Sequence, residues 1–392
     1  MKFIILIIFS KIFSIDYGID VLVDNGFNDL IGKRVGILAN IASIDRNNIN
    51  TIDILIENDK IDLIKIFAPE HGVQLKYSAG EKFNNSNYND YNVISLYGSN
   101  RTPSIEDVNN LDVIIIDLQD IGSTYYTYLS TVTYMLEIAA MQKIPVLVLD
   151  RPNPLGRKVY GPKKQIFNFI GLHPIPIRHG MTLGELCLMI NDEGWLKNKL
   201  ENLKIIKMQN FRKISDFNNW VPPSPNIPDL KTAIIYNGTC LFEGTNLSEG
   251  RGTEAPFHYI GAPWVNSDEL LNYIQSLNFK KFNSSINVKK IEFIPKSKDG
   301  AISPKYENEI CYGVSLNIDS SIEPLEFTLY LLEFFFNNYE NFKFQDNFFD
   351  ILYGSSNFRK CLLNKCNINE IFNDIDKDTK DFIKLREKYL LY

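Results

Sequence analysis

The chain has 392 residues, a formal net charge of −6, 45% hydrophobic residues and 22% charged residues. That length is more than one ordinary core holds, and the balance is that of a folded globular protein of two domains. The acidic charge argues against a nucleic-acid binder, which needs a basic stripe to displace counterions, but it leaves room for a neutral or anionic sugar, because a local arginine cluster overrides the global sign.

In chain order, Lys2, the apolar run 3–9 and the small residues Ser10 and Ser14 read as a short signal peptide occupying residues 1–16. A first buried strand is the alternative, and the run is too short to span a bilayer by itself. From residue 32 onward, short apolar runs alternate with helically spaced stretches. Strands are expected at 34–40, 63–68, 92–97, 112–117 and 145–150, and helices at 51–56 and 125–141. The 112–117 run is almost wholly apolar, as suits a central parallel strand. This alternation predicts an α/β fold with a Rossmann-like, doubly wound parallel sheet. Ligands of such sheets bind beyond the carboxyl ends of the strands. Polar residues fall at those ends: Asn40, Glu70 with His71, Asp117 with Gln119 and Asp120, and Asp150 with Arg151 each follow an apolar run, which predicts a shared site. No G-x-G-x-x-G follows the first strand, so a dinucleotide is not indicated.

The turn-rich stretch 151–156 closes the N-terminal domain, 17–160, or in a wider reading that domain runs to about 225. A second, smaller α+β domain then covers 226–392, with strands near 291–294 and 311–316, helices at 267–277, 323–339 and 380–390, and the active cleft between the domains. The five cysteines include no C-x-x-C pair, which speaks against a zinc ribbon or redox motif. Cys361 and Cys366 are close enough in sequence to bridge outside the cytosol, but free, partly buried thiols are the expectation.

Several segments together resemble the exo-β-N-acetylmuramidase family, long known only as a conserved domain of unknown function. They are F-A-P-E-H-G at 67–72, D-L-Q-D-I-G at 117–122 with Y-Y-T-Y at 125–128, L-D-R-P-N-P at 149–154, P-I-R-H-G-M-T at 176–182, W-V-P-P-S-P-N at 220–226, L-F-E-G-T-N-L-S-E-G-R-G-T at 241–253 and G-A-P-W at 261–264. They occur in the family's order from about residue 18 to the end, and the 241–253 motif is specific. The resemblance implies a Rossmann-like lobe, a smaller C-terminal lobe and a cleft between them. It also implies hydrolysis of the β-glycosidic bond to an N-acetylmuramic acid at the non-reducing end of peptidoglycan fragments, in cell-wall turnover or recycling, with no redox cofactor. One departure is Thr124, where the family usually has an arginine. If that arginine holds the lactyl carboxylate, Arg178 or Arg251 must replace it here, or the substrate preference differs.

Glycosidic hydrolysis needs a proton donor for the leaving oxygen and a second group that stabilises or traps the oxocarbenium-like centre. Two carboxyl groups are the common solution, about 5 Å apart for retention or roughly 6.5–9.5 Å for inversion. The candidates are Glu70, Asp117, Asp120, Asp150, Glu243 and Glu249. Glu70 is the first choice for the acid, because it ends an apolar strand in surroundings that suit a proton donor; a structural hydrogen bond is the other reading. Glu243 and Glu249 frame the glycine-rich loop, and either can face Glu70, with Glu243 slightly favoured; Glu249 has a salt bridge to Arg251 as its alternative. His71 and His179 each precede a glycine and can orient a carboxylate or act as acid or base. His173 and His258 read as surface or packing residues.

No metal site is expected, since neither H-E-x-x-H nor a two-His-one-carboxylate spacing occurs. Arg151, Arg178 and Arg251 lie in Gly- or Pro-rich loops, where a guanidinium either grips a carboxylate bidentately or pins loop carbonyls. Gln119 and Asn246 suit the hydroxyl or N-acetyl groups, and Asn226 is a further substrate-binding candidate. Asn40, Asp117, Asp120, Asp150 and Tyr126 complete the substrate-binding candidates. Tyr125, Tyr126 and Tyr128 offer a stacking face or simply core, and Trp220 and Trp264 possible platforms. A non-catalytic muropeptide-binding protein is the competing reading; an esterase or amidase would need a G-x-S-x-G elbow, which is absent. The expected partner is a peptidoglycan-derived glycan or muropeptide, with no nucleic acid, no cofactor and no stable membrane span. The expected location is the bacterial periplasm or outside the cell.

Overall fold

The computed structural model describes residues 15–77, 81, 86–98, 100–211, 217, 220–277, 282, 286–318 and 322–392. Most of the predicted signal segment therefore lies outside the described residues. In the first lobe, helix α1 (Gly18–Asp24) precedes strand β1 (Arg34–Ala39), helix α2 (Thr51–Ile56) and strand β2 (Asp62–Ala68). Strands β3 (Ser86–Tyr88) and β4 (Tyr91–Ser95), helix α3 (Ile105–Val108), strand β5 (Val113–Asp117), helix α4 (Tyr128–Gln142) and strand β6 (Val146–Leu149) follow. A hairpin of β7 (Tyr160–Lys163) and β8 (Pro176–Arg178) leads to helix α5 (Leu183–Asp192) and strand β9 (Leu203–Ile206). Side chains start several helices: Asn50 accepts from the Ile52 N–H at α2, and Thr182 with Glu185 forms a reciprocal capping box at α5.

Among the described residues the main sheet runs β3-β4-β2-β1-β5-β6-β9. Only the edge strand β3 is antiparallel. The parallel strands alone, β4-β2-β1-β5-β6-β9, have the order 3-2-1-4-5-6 of a Rossmann sheet. Ile37 of β1 sits beside Ile66 of β2 and Ile115 of β5, and every residue of β5 is buried, because helices cover both faces. The sheet does not end at residue 160: β9 pairs with β6 at Val146 to Leu149 and belongs to the first lobe.

In the second lobe, helix α6 (Leu230–Thr239) precedes strand β10 (Tyr259–Ala262), helix α7 (Ser267–Leu277), strands β11 (Ile286–Phe293) and β12 (Cys311–Ile318), and helix α8 (Pro324–Asn338). Helices α9 (Asp346–Tyr353), α10 (Asn357–Leu363) and α11 (Ile368–Arg386) complete it. The three strands form an antiparallel sheet in the order β10-β12-β11. Helices α6 and α8 pack so closely that a Cβ at Gly238 would lie 2.1 Å from the Pro324 carbonyl oxygen.

Helix α11 begins at Ile368, well before the expected 380. Its first turns are mostly polar, but Ile368, Ile371, Ile375 and Phe382 recur on one face and are buried. Cys361 and Cys366 are disulfide-bonded, correcting the expectation of free thiols. The turn after α10, with Lys365 in the left-handed region at φ 55°, brings their Cα atoms to 5.0 Å. Cys187, Cys240 and Cys311 are free.

One apolar cluster reaches from Leu38 and Ile116 in the main sheet through Tyr125 and Ile177 to Phe242, Leu325 and Phe335 in the second lobe. The lobes thus share packed core, and dense packing of this kind fixes the cleft between them. A second cluster lies on the opposite face of the sheet, under α1 and α2.

Candidate active site

A pocket of about 380 Å³ lies in the cleft, lined from the first lobe by Glu70, His71, Tyr97, Arg101 and Tyr125 to Thr127. From the second lobe come Tyr236, Glu243, Glu249, Arg251, Phe257 and Lys305. Strand β2 delivers Glu70: its last residues, Ile66, Phe67 and Ala68, are fully buried, so the chain emerges from the core at the sheet's carboxyl edge. Glu70 is itself buried, and its Oε2 accepts a 2.5 Å hydrogen bond from Thr127 Oγ1 just ahead of α4. The turn that follows holds His71 at φ 73° and Gly72 at φ 76°. A left-handed backbone at a non-glycine residue costs on the order of 1–2 kcal/mol. It is retained where Nδ1–H of His71 donates to the Tyr77 carbonyl at 2.8 Å. That bond leaves Nε2 as the acceptor of a neutral ring. Burial holds the imidazole below its ordinary pKa, Glu70 works against that, and Arg251 from the facing lobe pushes it further down. The two lobes' charged groups therefore act on one another across the pocket.

The facing wall starts at the short 3-10 turn Cys240–Gly244 after α6, which aims Glu243 inward. The chain then loops to β10, with Gly250 at φ 77° and Gly252 at φ 79° on either side of Arg251. A side chain at Gly250 would be strained by that backbone and would also meet the Ala255 carbonyl oxygen at 2.9 Å. Arg251 Nη2 lies 2.6 Å from Glu243 Oε1, and its Nε lies 3.9 Å from Glu249 Oε1. Lys305 Nζ donates to Glu249 Oε2 at 3.0 Å and to the carbonyls of Phe242 and Leu247 at 2.8 and 2.9 Å. Burial raises the Glu243 carboxyl above its ordinary pKa, and Arg251 opposes that rise. Burial also works against the charge on Arg251, but Glu243 and Glu249 outweigh it and hold the guanidinium charged. A desolvated cation between carboxylates is the kind of preorganised field that stabilises charge developing in a transition state.

Of the sequence-derived candidates, Glu70, His71, Tyr125, Tyr126, Asn226, Glu243, Glu249 and Arg251 line this pocket. The others do not, and each has a physical reason. Arg151 pairs with Asp117, with Nη2 2.8 Å from Oδ2, and Thr51 Oγ1 donates to the same carboxylate at 2.5 Å. Asn40 Nδ2 donates to the Tyr128 hydroxyl at 2.8 Å. Gln119 donates to the carbonyls of Asp120 and Pro152. Asp120 accepts from the Gly122 N–H at 2.7 Å and faces His179 Nε2 at 3.4 Å. Asp150 takes the Thr182 hydroxyl, the Gly184 N–H and the Tyr392 hydroxyl. Arg178 is held by Glu323 at 3.0 Å and by the Leu155 carbonyl at 2.6 Å. Asn246 exchanges hydrogen bonds with Asn341 and Lys343. The expected convergence of all the strand ends on one site thus narrows to the end of β2. Thr124 turns its hydroxyl onto the carbonyls of Pro176 and Ile177, so neither it nor Arg178 reaches the substrate space. Neither Trp220 nor Trp264 lines the pocket. Tyr126 and Tyr128 both donate to the Pro223 carbonyl and clamp the Pro-rich loop beside it.

Sequence reasoning missed Tyr97, Arg101, Phe169 and Lys305. Arg101 follows the apolar run of β4, so the strand-end rule that selects Glu70 applies there too, but the charge comes several residues past the run. Lys305 lies in an irregular loop with no pattern to mark it. Among the described residues, no group of three or more His, Cys, Asp or Glu side chains is placed to hold a metal, and no helix is long and apolar enough to cross a membrane.

Comparison with known proteins gives matches over nearly the whole chain. Residues 35–231 match the family described as exo-beta-N-acetylmuramidase NamZ, N-terminal, and residues 234–392 match its C-terminal counterpart. The chain is 35% identical to the peptidoglycan beta-N-acetylmuramidase NamZ of Bacillus subtilis (strain 168), over 97% of this chain and 92% of that protein. It is similar to crystal structures of two DUF1343 family proteins from Bacteroides fragilis NCTC 9343, with TM-scores of 0.85 and 0.77. Both are 30% identical, and each match covers 97% of this chain and 99% of the other.

Proposed function

The chain belongs to the exo-β-N-acetylmuramidase family, and from that premise we propose that it is an exo-acting glycosidase. It releases N-acetylmuramic acid from the non-reducing end of peptidoglycan fragments, as a step in cell-wall turnover or recycling. The observation that carries this reading is the single pocket shared by Glu70 and His71 of one lobe and Glu243, Glu249 and Arg251 of the other. Its volume, about 380 Å³, is in the range of small-molecule sites. Buried Tyr125, Tyr126, Tyr236 and Phe257 give it an aromatic floor, the usual lining of a small-molecule site.

In the proposed reaction the bond between the anomeric carbon and the glycosidic oxygen breaks as water attacks that carbon. Glu70 gives its proton to the leaving oxygen, and a carboxylate of the Glu243–Glu249 pair takes the proton of the attacking water. His71, neutral and fixed by Tyr77, orients the donor. Arg251 holds the two facing carboxyl groups in place. Tyr126 and Asn226 are proposed to contact the sugar.

We further propose that the protein works outside the cytosol of a bacterial cell. The apolar segment after Lys2 supports export. The Cys361–Cys366 disulfide supports an oxidising compartment.

The test is release of 4-nitrophenol from its β-N-acetylmuramide, run beside the β-N-acetylglucosaminide, with titration of free N-acetylmuramic acid in parallel. Turnover of the muramide supports the enzyme. Binding without turnover would replace it with a muropeptide-binding protein.

A further inference from the structure

The charged groups of the facing wall are already committed to one another. Glu243 and Glu249 line the pocket, and the cations beside them, Arg251 and Lys305, are both paired with those carboxylates. An anionic sugar entering such a space finds no cation left to pair with unless a further one is available. Arg101 is that cation. It lines the pocket, is exposed, and among the described residues no carboxylate pairs with it. Its guanidinium carbon rests 4.3 Å above the centre of the Phe169 ring. Phe169 is buried and stacked on Tyr134, with centroids 6.0 Å apart and planes 16° apart. The ring beneath is therefore a fixed platform. A guanidinium lying on an aromatic face keeps its edge N–H groups free, and those groups match a carboxylate bidentately.

We infer that Arg101, laid on Phe169, reads the lactyl carboxylate of the terminal muramic acid and is a specificity-determining residue of this enzyme. The inference rests on the glycosidase reading above. It also reassigns the role that sequence alone gave to Arg178 or Arg251: Arg178 is outside the pocket, and Arg251 is bound to Glu243.

The experiment uses the full chain, R101Q and R101K. Each is assayed on 4-nitrophenyl β-N-acetylmuramide and on the same glycoside with its lactyl group methyl-esterified. Free N-acetylmuramic acid and N-acetylglucosamine are titrated calorimetrically. The unmodified chain is expected to favour the carboxylate over the ester by about 10- to 100-fold in kcat/KM, the scale of a charge-assisted bidentate contact. In R101Q the ratio falls to near one, and in R101K it is intermediate, because lysine supplies charge without the fork. An R101Q ratio equal to that of the unmodified chain overturns the assignment and leaves the glycosidase reading standing. If the unmodified chain cleaves neither glycoside, the glycosidase reading fails and the titrations decide. Muramic acid binding weakened at least tenfold in R101Q supports the site, and unchanged binding overturns it.

Discussion

Glu70→Gln separates a proton donor from every other role that Glu70 can have. The replacement is nearly isosteric. The amide oxygen of glutamine accepts the Thr127 hydroxyl as Oε2 of Glu70 does at 2.5 Å, so the turn after β2 keeps its anchor. The cost in stability is expected below about 1 kcal/mol, the scale of one exchanged hydrogen bond. The catalytic cost is far larger. A positioned general acid contributes roughly 10²- to 10⁴-fold, or about 2.7–5.4 kcal/mol of barrier. That contribution matters only when the leaving oxygen needs a proton. The hydroxyl of a departing N-acetylglucosamine needs one, whereas 4-nitrophenolate leaves as a stable anion. Glu70→Gln is therefore expected to lose about 10²- to 10⁴-fold in kcat/KM on the natural disaccharide. On the 4-nitrophenyl muramide the loss is expected below about tenfold, because no acid is required there. The assay measures both substrates on one preparation, with thermal unfolding to confirm the fold. Equal losses on the two substrates would move Glu70 to the bond-forming side of the reaction. No loss on either would remove it from the chemistry.

Lys305→Met leaves the buried Glu249 carboxylate without its ammonium partner and strips a donor from the Phe242 and Leu247 carbonyls; urea unfolding should show a loss of about 3 kcal/mol, the lower end for breaking a buried pair, since Lys305 is partly exposed. His173 stacks on Trp195 and bonds Thr133, and burial pushes its pKa down to about 4. Its folded form binds fewer protons than the unfolded chain below about pH 6.5. Its share of stability is therefore complete above that pH and is lost as pH falls toward 4, and His173→Gln should flatten this part of the stability–pH curve. Asp150 has the opposite sign, because burial pushes its carboxyl up to about 6. Its contribution is present at low pH and is lost as pH rises through that value, so Asp150→Asn should gain stability relative to the unmodified chain between pH 4 and 7, measured by chemical unfolding at a series of pH values.

The sheet was legible because its parallel strands are continuous apolar runs, and the Glu70–His71 end was legible because a charged pair abruptly follows one of them. The same signature marks Asn40, Asp117 with Arg151, and Asp150, none of which reaches the pocket. A polar strand end looks the same in sequence whether it meets a ligand or a neighbouring side chain. Here the difference lies in partners far along the chain. Tyr128 takes Asn40, the Tyr17 ring lies 5.1 Å from the Arg151 guanidinium, and Tyr392 reaches Asp150. His179 gives its carbonyl to Arg386, a contact across 207 residues that no local pattern encodes. On the other wall, Glu243, Glu249 and Arg251 were readable as a motif. Lys305, which ties that loop to itself, was not, because its partners are mostly backbone carbonyls.

These contacts also explain where the pocket lies. In a Rossmann sheet the natural crevice opens where the strand order reverses, between β1 and β5. That crevice is occupied here by the protein's own groups: Asp117, Arg151, Asn40, Ser43 and Thr51 hydrogen-bond one another or nearby backbone, and all are buried. The open space moves sideways to the ends of β2 and β4, where the first lobe offers Glu70, His71, Tyr97 and Arg101. That half of a site is incomplete until the 3-10 turn and glycine-framed loop of the second lobe cover it. Because one apolar cluster runs through both lobes, the two walls of the pocket are joined by packed core. A substitution deep in that shared core, far from any carboxylate, should therefore disturb activity by shifting one wall against the other.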